Sequence, residues 1–168
     1  RLFQVVDLDM GILIVTCAPG NEEICEEEVG NVLYIYDQSL KITRTRHKGV
    51  LLVYTKLDSM DAFKKLRSRE YGFVRRIVPA LKVSKPSIDN ILKSVEDIVP
   101  SSINNVCLKV RIRGIRGLSS RLWDELKKYL LAKGIKIDNR SNYCIYIEGI
   151  NDLIGISFLR NGEDRVTR

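Results

Sequence analysis

Between residues 106 and 113 the chain alternates strictly: Val106, Leu108, Val110 and Ile112 are apolar, whereas Lys109, Arg111 and Arg113 are cationic. A period of two is the mark of a β-strand with one face in a core, because successive side chains leave a strand on opposite sides. A chain holding such a strand must supply neighbours for it to pair with and further elements to cover its apolar face. The three cations then project together from the other face, about 7 Å apart, twice the rise per residue.

The rest of the sequence supplies those elements in two blocks. Ile12–Thr16 is an apolar run closed by Ala18-Pro19-Gly20, as expected of a buried strand ending in a turn. Asn21 is a candidate N-cap, Glu22 and Glu23 suit the positive end of a helix dipole, and Cys25, Val29, Val32 and Tyr36 recur at helical spacing. Residues 40–46 and 50–54 flank His47-Lys48-Gly49, a hairpin with glycine in the turn. Asp58 or Ser59 starts a second helix with Met60, Phe63 and Leu66 on one face. Residues 73–83 read as a fourth strand, with Pro79 at an edge or bend. This β-α-β-β-α-β order is the ferredoxin-like plan.

Ser84-Lys85-Pro86-Ser87 reads as a linker. Ile88, Ile91, Leu92, Val95, Ile98 and Val99 form a helical stripe ended by Pro100. After the alternating strand, Ser119 or Ser120 caps a helix carrying Leu122, Leu126, Tyr129 and Leu130, stopped by Gly134. Residues 143–148 and 153–159 are two more strands. The expected class is α+β: a ferredoxin-like βαββαβ unit over residues 10–83, then an αβαββ domain over 84–168.

Composition narrows the function. At 45% hydrophobic and 29% charged, the 168-residue chain is that of a folded protein. Its wholly apolar runs, such as Ile12–Val15, are far short of a membrane span, so no membrane partner is expected. Residues 1–9 lack a basic stretch followed by an apolar one, hence no secretory leader is expected, and Met10-Gly11 is a candidate native start. The four cysteines form no CxxC pair and only one histidine is present, which argues for reduced thiols in a cytoplasmic protein and against a metal or other cofactor. Charge is lopsided. Residues 1–37 hold one basic and eight acidic side chains, and residues 38–168 hold 27 basic and 13 acidic ones. A clustered positive field of that kind favours a polyanionic partner.

The strongest local signal is Lys109, Arg111 and Arg113, followed by Arg116 and Arg121. The loop Gly114-Ile115-Arg116-Gly117 leads from the strand to a helix start, where backbone N–H groups also favour anions. The alternative is the solvated outer face of a half-buried strand, but no acidic residue lies between Cys107 and Trp123 to balance the five cations. The Gly114–Gly117 spacing matches the GXXG loop of KH modules, but that loop joins two helices and this one follows a strand. Neither GxGxxG nor a Walker lysine is present. His47 has no nucleophile tied to it by any motif, and no catalytic residues are expected. Glu22–Glu28 reads as a solvated helix face or a dock for a basic protein. Trp123 and Tyr129 read as packing residues, and one of Arg75 and Arg76 should face outward.

The order of these elements resembles the THUMP domain of tRNA-modifying proteins. The matching stretches are the helix 88–99, the strand 108–113, Leu118-Ser119-Ser120 at a helix start, Lys136-Ile137-Asp138, residues 145–148 and residues 154–157. Before them, Pro19-Gly20-Asn21-Glu22-Glu23 and residues 71–79 are similar to the region preceding THUMP. One departure is Asn139-Arg140-Ser141-Asn142, where family members often carry an Asn-Pro-Asp/Glu-like turn. The resemblance implies a tRNA-binding module aimed at the acceptor stem and 3′ end, with Lys109, Arg111, Arg113 and Arg116 as the contacts. Most THUMP proteins carry a fused methyltransferase, thiouridine synthase, pseudouridine synthase or deaminase domain. This chain looks most like the stand-alone relatives, whose eukaryotic members are adaptors for tRNA cytidine acetylation. The resemblance thus implies a non-enzyme that presents tRNA to an RNA-modifying enzyme in trans. The other readings are an RNA-modifying enzyme in its own right and a protein-interaction subunit with an incidental basic face.

Overall fold

The computed structural model describes residues 10–166, so the reading of residues 1–9 lies outside the described residues. The described chain is mixed α and β, with two sheets and four helices. It divides into two compact units, one of residues 10–80 with 164–166 and the other Leu81–Glu163.

The first unit runs β1 (Gly11–Cys17), α1 (Glu22–Leu33), β2 (Lys41–Arg44), β3 (Val50–Thr55), α2 (Ser59–Arg67) and β4 (Val74–Pro79). Its sheet has the order β2-β3-β1-β4 with every neighbouring pair antiparallel. Ile12–Val15 and Leu51–Val53 are buried along the central strands, with Cys25, Val29 and Leu33 of α1 and Ala62, Phe63 and Leu66 of α2. Asp58 caps α2, its carboxylate accepting from Met60 N at 3.1 Å. Asn21 sits at the start of α1 but its side chain makes no cap bond. Helix α1 stops at Leu33, so Tyr36 does not continue the apolar stripe and is 52% exposed. Leu33 takes the buried place that the spacing gave to Val32.

In the second unit β5 (Lys82–Ser84), α3 (Ile88–Ile98), β6 (Asn105–Arg113), α4 (Leu118–Ala132), β7 (Lys136–Ile137), β8 (Tyr143–Ile150) and β9 (Leu153–Arg160) follow one another. The sheet order is β5-β9-β8-β6-β7, with β6 parallel to β7 and β8 and the remaining pairs antiparallel. Ile91 and Val95 of α3 and Leu118, Leu122, Leu126 and Leu130 of α4 pack on Val106, Leu108, Ile112, Ile145, Ile147, Ile154 and Ile156. The apolar half of the alternating strand therefore faces both helices. Trp123 and Tyr129 pack at the margin of this core.

Two expectations change here. Residues 73–83 are not one strand. Ala80 N donates to Ile12 O at 2.8 Å and Leu81 N to Ile156 O at 2.9 Å, so consecutive amides serve different sheets and the strand breaks between them. Pro79, with no N–H, precedes the break. The proposed linker is likewise ordered: Ser84 ends β5, and the Ser87 hydroxyl accepts from Asn90 N at 3.5 Å to cap α3.

The cysteines are also paired, Cys17 with Cys25 and Cys107 with Cys144. Spacing along the chain hid both pairs. Cys17 ends β1 beside the first turn of α1, with the α-carbons 6.4 Å apart, and Cys107 is the register partner of Cys144 across parallel strands. Cysteine usage consequently gives no support to a reducing compartment. Among the described residues, no helix is long and apolar enough to cross a membrane.

Candidate nucleic-acid interface

Strand β6 carries the expected cations on one face, but they are not equivalent. Lys109 and Arg111 are exposed, as are Arg116 in the following loop and Arg121 in the first turn of α4. None of the four enters an ion pair among the described residues. Arg113 differs. Its Nη1 lies 3.0 Å from Glu148 Oε2, with the two side chains only 16% and 3% exposed. Glu148 is on β8, which lies parallel to β6 with Arg111 and Glu148 in register. No local pattern points to this partner, which lies 35 residues downstream. Arg113 therefore fixes the end of the strand and is not available as a full charge for a ligand.

The turn from β6 into α4 depends on two glycines in the left-handed region, Gly114 at φ +92° and Gly117 at φ +79°. A side chain at Gly114 would strike Asn151, whose backbone N donates to Arg113 O at 2.8 Å. Gly117 is the N-cap of α4, which leaves no cap side chain over the helix start. Neither Ser119 nor Ser120 caps this helix; the Ser119 hydroxyl instead accepts from Ile112 N at 2.9 Å and pins the strand to the helix. The result is an N-terminal turn free of a side-chain cap, at the positive end of a 15-residue helix and beside Arg116 and Arg121. Such a corner can hold phosphate oxygens by charge and by backbone donors together.

The acidic run of α1 is a solvated face only in part. Glu28 accepts from Gly72 N, Phe73 N and Val74 N at 2.6, 2.8 and 3.2 Å. Glu22 accepts from Gly20 N and Gly49 N, and its own backbone amide together with those of Gly49 and Gly20 holds its carboxyl below the ordinary range. Glu26 pairs with Arg44 at 2.9 Å. Three of the five carboxylates thus brace their own unit. Arg75 is exposed as anticipated for one of the pair, and Arg76 is bound to the buried Asp164 at 2.7 Å. Among the described residues no cluster of His, Cys, Asp and Glu is placed to hold a metal ion.

No protein-family model matches the chain, and no curated protein sequence does. Solved structures do. The crystal structure of PH1313 from Pyrococcus horikoshii Ot3 aligns over 90% of this chain at a TM-score of 0.62 and 17% identity. TrmN from Thermus thermophilus aligns over 94% at a TM-score of 0.53 and 15% identity. At these identities the likeness is one of fold. This chain spans about half of each of those proteins, 56% and 46% of their lengths.

Proposed function

We propose that the chain is a tRNA-binding module of the THUMP type. The observation that carries this reading is the set of four cations, Lys109, Arg111, Arg116 and Arg121, gathered on one strand, loop and helix start without ion-pair partners among the described residues. Surface cations left unpaired around a helix N-terminus suit a phosphate backbone. The order of the sequence motifs favours tRNA as the nucleic acid, with the acceptor stem and 3′ end as the target that the family resemblance implies, and the fold likeness is in keeping with it. The βαββαβ order and the 2-3-1-4 strand arrangement of the first sheet support a ferredoxin-like unit preceding the THUMP domain.

In this reading the module is not an enzyme. It holds tRNA for a separate modifying enzyme, with a tRNA cytidine acetyltransferase as the partner that the sequence resemblance favours. What supports the passive role is the make-up of the corner, which offers guanidinium, ammonium and backbone donors, while the Ser119 hydroxyl is committed to the Ile112 amide. The test is filter binding of tRNA across a salt series. Affinity should fall linearly with salt on logarithmic axes, because each neutralised phosphate releases counterions. Absent binding, or binding indifferent to salt, refutes the proposal.

A further inference from the structure

At the other end of β6 from Arg113, the second unit holds a different kind of site. Tyr143 opens β8 and is 42% exposed, and its ring lies parallel to that of Phe158, at 8° with centroids 5.3 Å apart. Two clefts meet at Tyr143 and Asn142. One, of about 440 Å³, has Phe158, Ile103, Asn104 and Asn105 in its walls. The other, of about 600 Å³, has Arg140, Ser141, Arg160 and Asn161. Both volumes are in the range of small-molecule sites.

The second cleft is built and incomplete. Ser141 is 6% exposed, yet its hydroxyl has no hydrogen-bond partner among the described residues. A buried hydroxyl left unsatisfied is costly, so a group that supplies the missing partner is favoured there. The turn around it is held rigidly. Asn161 Nδ2 donates to Asn139 O and Ser141 O at 2.9 Å each, Asn161 N donates to Asn142 O at 2.8 Å, and Asp138 Oδ1 accepts from Arg140 N at 2.9 Å. Glu163 Oε1 accepts from Arg160 N at 3.0 Å. The nearby carboxylates thus bind the backbone amides of Arg140 and Arg160, and neither guanidinium enters an ion pair among the described residues.

We infer that these paired clefts bind a nucleoside phosphate. The base stacks at Tyr143, the carboxamides of Asn104, Asn105 and Asn142 meet its edge, and the phosphate takes Arg140, Arg160 and the Ser141 hydroxyl. An aromatic platform alone fits a sugar as well as a base, but two unpaired arginines beside an orphaned buried hydroxyl select a phosphorylated ligand. The site shares no cation with Lys109, Arg111, Arg116 and Arg121; for an unpaired RNA nucleotide it rests on the tRNA-binding reading and deepens it, and for a free mononucleotide it stands without that reading. Its ligand is either an unpaired nucleotide of a bound RNA or a free mononucleotide.

Calorimetric titration of the full chain distinguishes the sources. One arm uses AMP, GMP, CMP and UMP with adenosine as the unphosphorylated control; the other uses an RNA hairpin with and without a four-nucleotide single-stranded overhang. In whichever arm holds the ligand, Tyr143→Ala should weaken binding by about fivefold to a hundredfold, the range for loss of one stacked base, and Tyr143→Phe should preserve it. Arg140→Glu with Arg160→Glu, on exposed side chains, should also abolish it without lowering Tm. If the hairpins fail to bind at all, duplex recognition falls while the mononucleotide arm still reads this site. No response to Tyr143→Ala or to the double reversal in either arm, or equal affinity for adenosine and AMP, overturns the inference.

Discussion

Arg113 separates two ideas of what a cation on β6 is for. Removing Lys109 and Arg111 by alanine substitution deletes two exposed charges and no partner. If both meet phosphates, the slope of log affinity against log salt should flatten by about 1.8, at about 0.9 per phosphate on a duplex. Between 50 and 200 mM salt that difference amounts to roughly tenfold in affinity, while Tm should hardly move. Arg113→Ala should do the opposite. It removes the guanidinium from beside the Glu148 carboxylate, whose side chain is 3% exposed, and losing one member of a buried pair costs about 3–5 kcal/mol. The slope should then stay near that of the unaltered chain, provided binding is measured well below the lowered Tm. The assay is filter binding at four salt concentrations alongside thermal melts of all three proteins. A stable Arg113→Ala protein whose slope flattens as much as that of the double variant would refute the assignment of Arg113 to the fold.

The same geometry yields further tests. Glu148→Gln removes the charge that occupies Arg113 and keeps an acceptor, so the salt slope of tRNA binding should steepen by up to about 0.9 in the same filter assay. Gly114→Ala places a side chain at φ +92° against Asn151, so circular dichroism melts should show destabilisation on the order of 1–3 kcal/mol and the corner should lose tRNA affinity. Asp37 supplies a pH signature. Burial raises its pKa, but hydrogen bonds from the Ser39 hydroxyl, Lys56 N, Thr55 and Ser39 N outweigh it and hold the carboxyl at about 2, against an ordinary 3.8. The folded state therefore binds the proton less readily than the unfolded chain. The resulting stability, about 2 kcal/mol, is complete above pH 4 and disappears as pH falls towards 2. Asp37→Asn should be less stable at pH 7, and its Tm should lose that part of the acid dependence.

What could be read from the chain was whatever a local period records. The alternation at residues 106–113 places Val106, Leu108 and Ile112 against α3 and α4 because pleating alone decides the side. The stripe from Ile88 to Val99 gives α3, and Asp58 gives the start of α2, for equally local reasons. The misses share another cause. The break between Ala80 and Leu81, the Cys107–Cys144 pair and the capture of Arg113 by Glu148 all depend on which strands become neighbours and in what register. Strand β8 runs parallel to β6 and reaches it through α4 and β7, so no short-range pattern announces that Glu148 will lie beside the cations.

That same register shapes the basic face. In a parallel ladder Arg111 is the residue paired with Glu148, yet it is the Arg113 guanidinium, one pleat further on the same face, that reaches the carboxylate. The Glu148 carboxylate takes the Arg113 guanidinium at 3.0 Å, and burial at 3% exposure makes that pairing costly to break. Lys109 and Arg111 thereby keep their charge for solvent or ligand, and Arg116 and Arg121 extend the field past the strand end. The face therefore presents four cations where the sequence counts five, and the fifth stiffens the strand end from which the glycine turn departs. Rigid placement of that turn is what the proposed phosphate site requires, since a site assembled from a strand, a loop and a helix start binds only as well as the three are held in place.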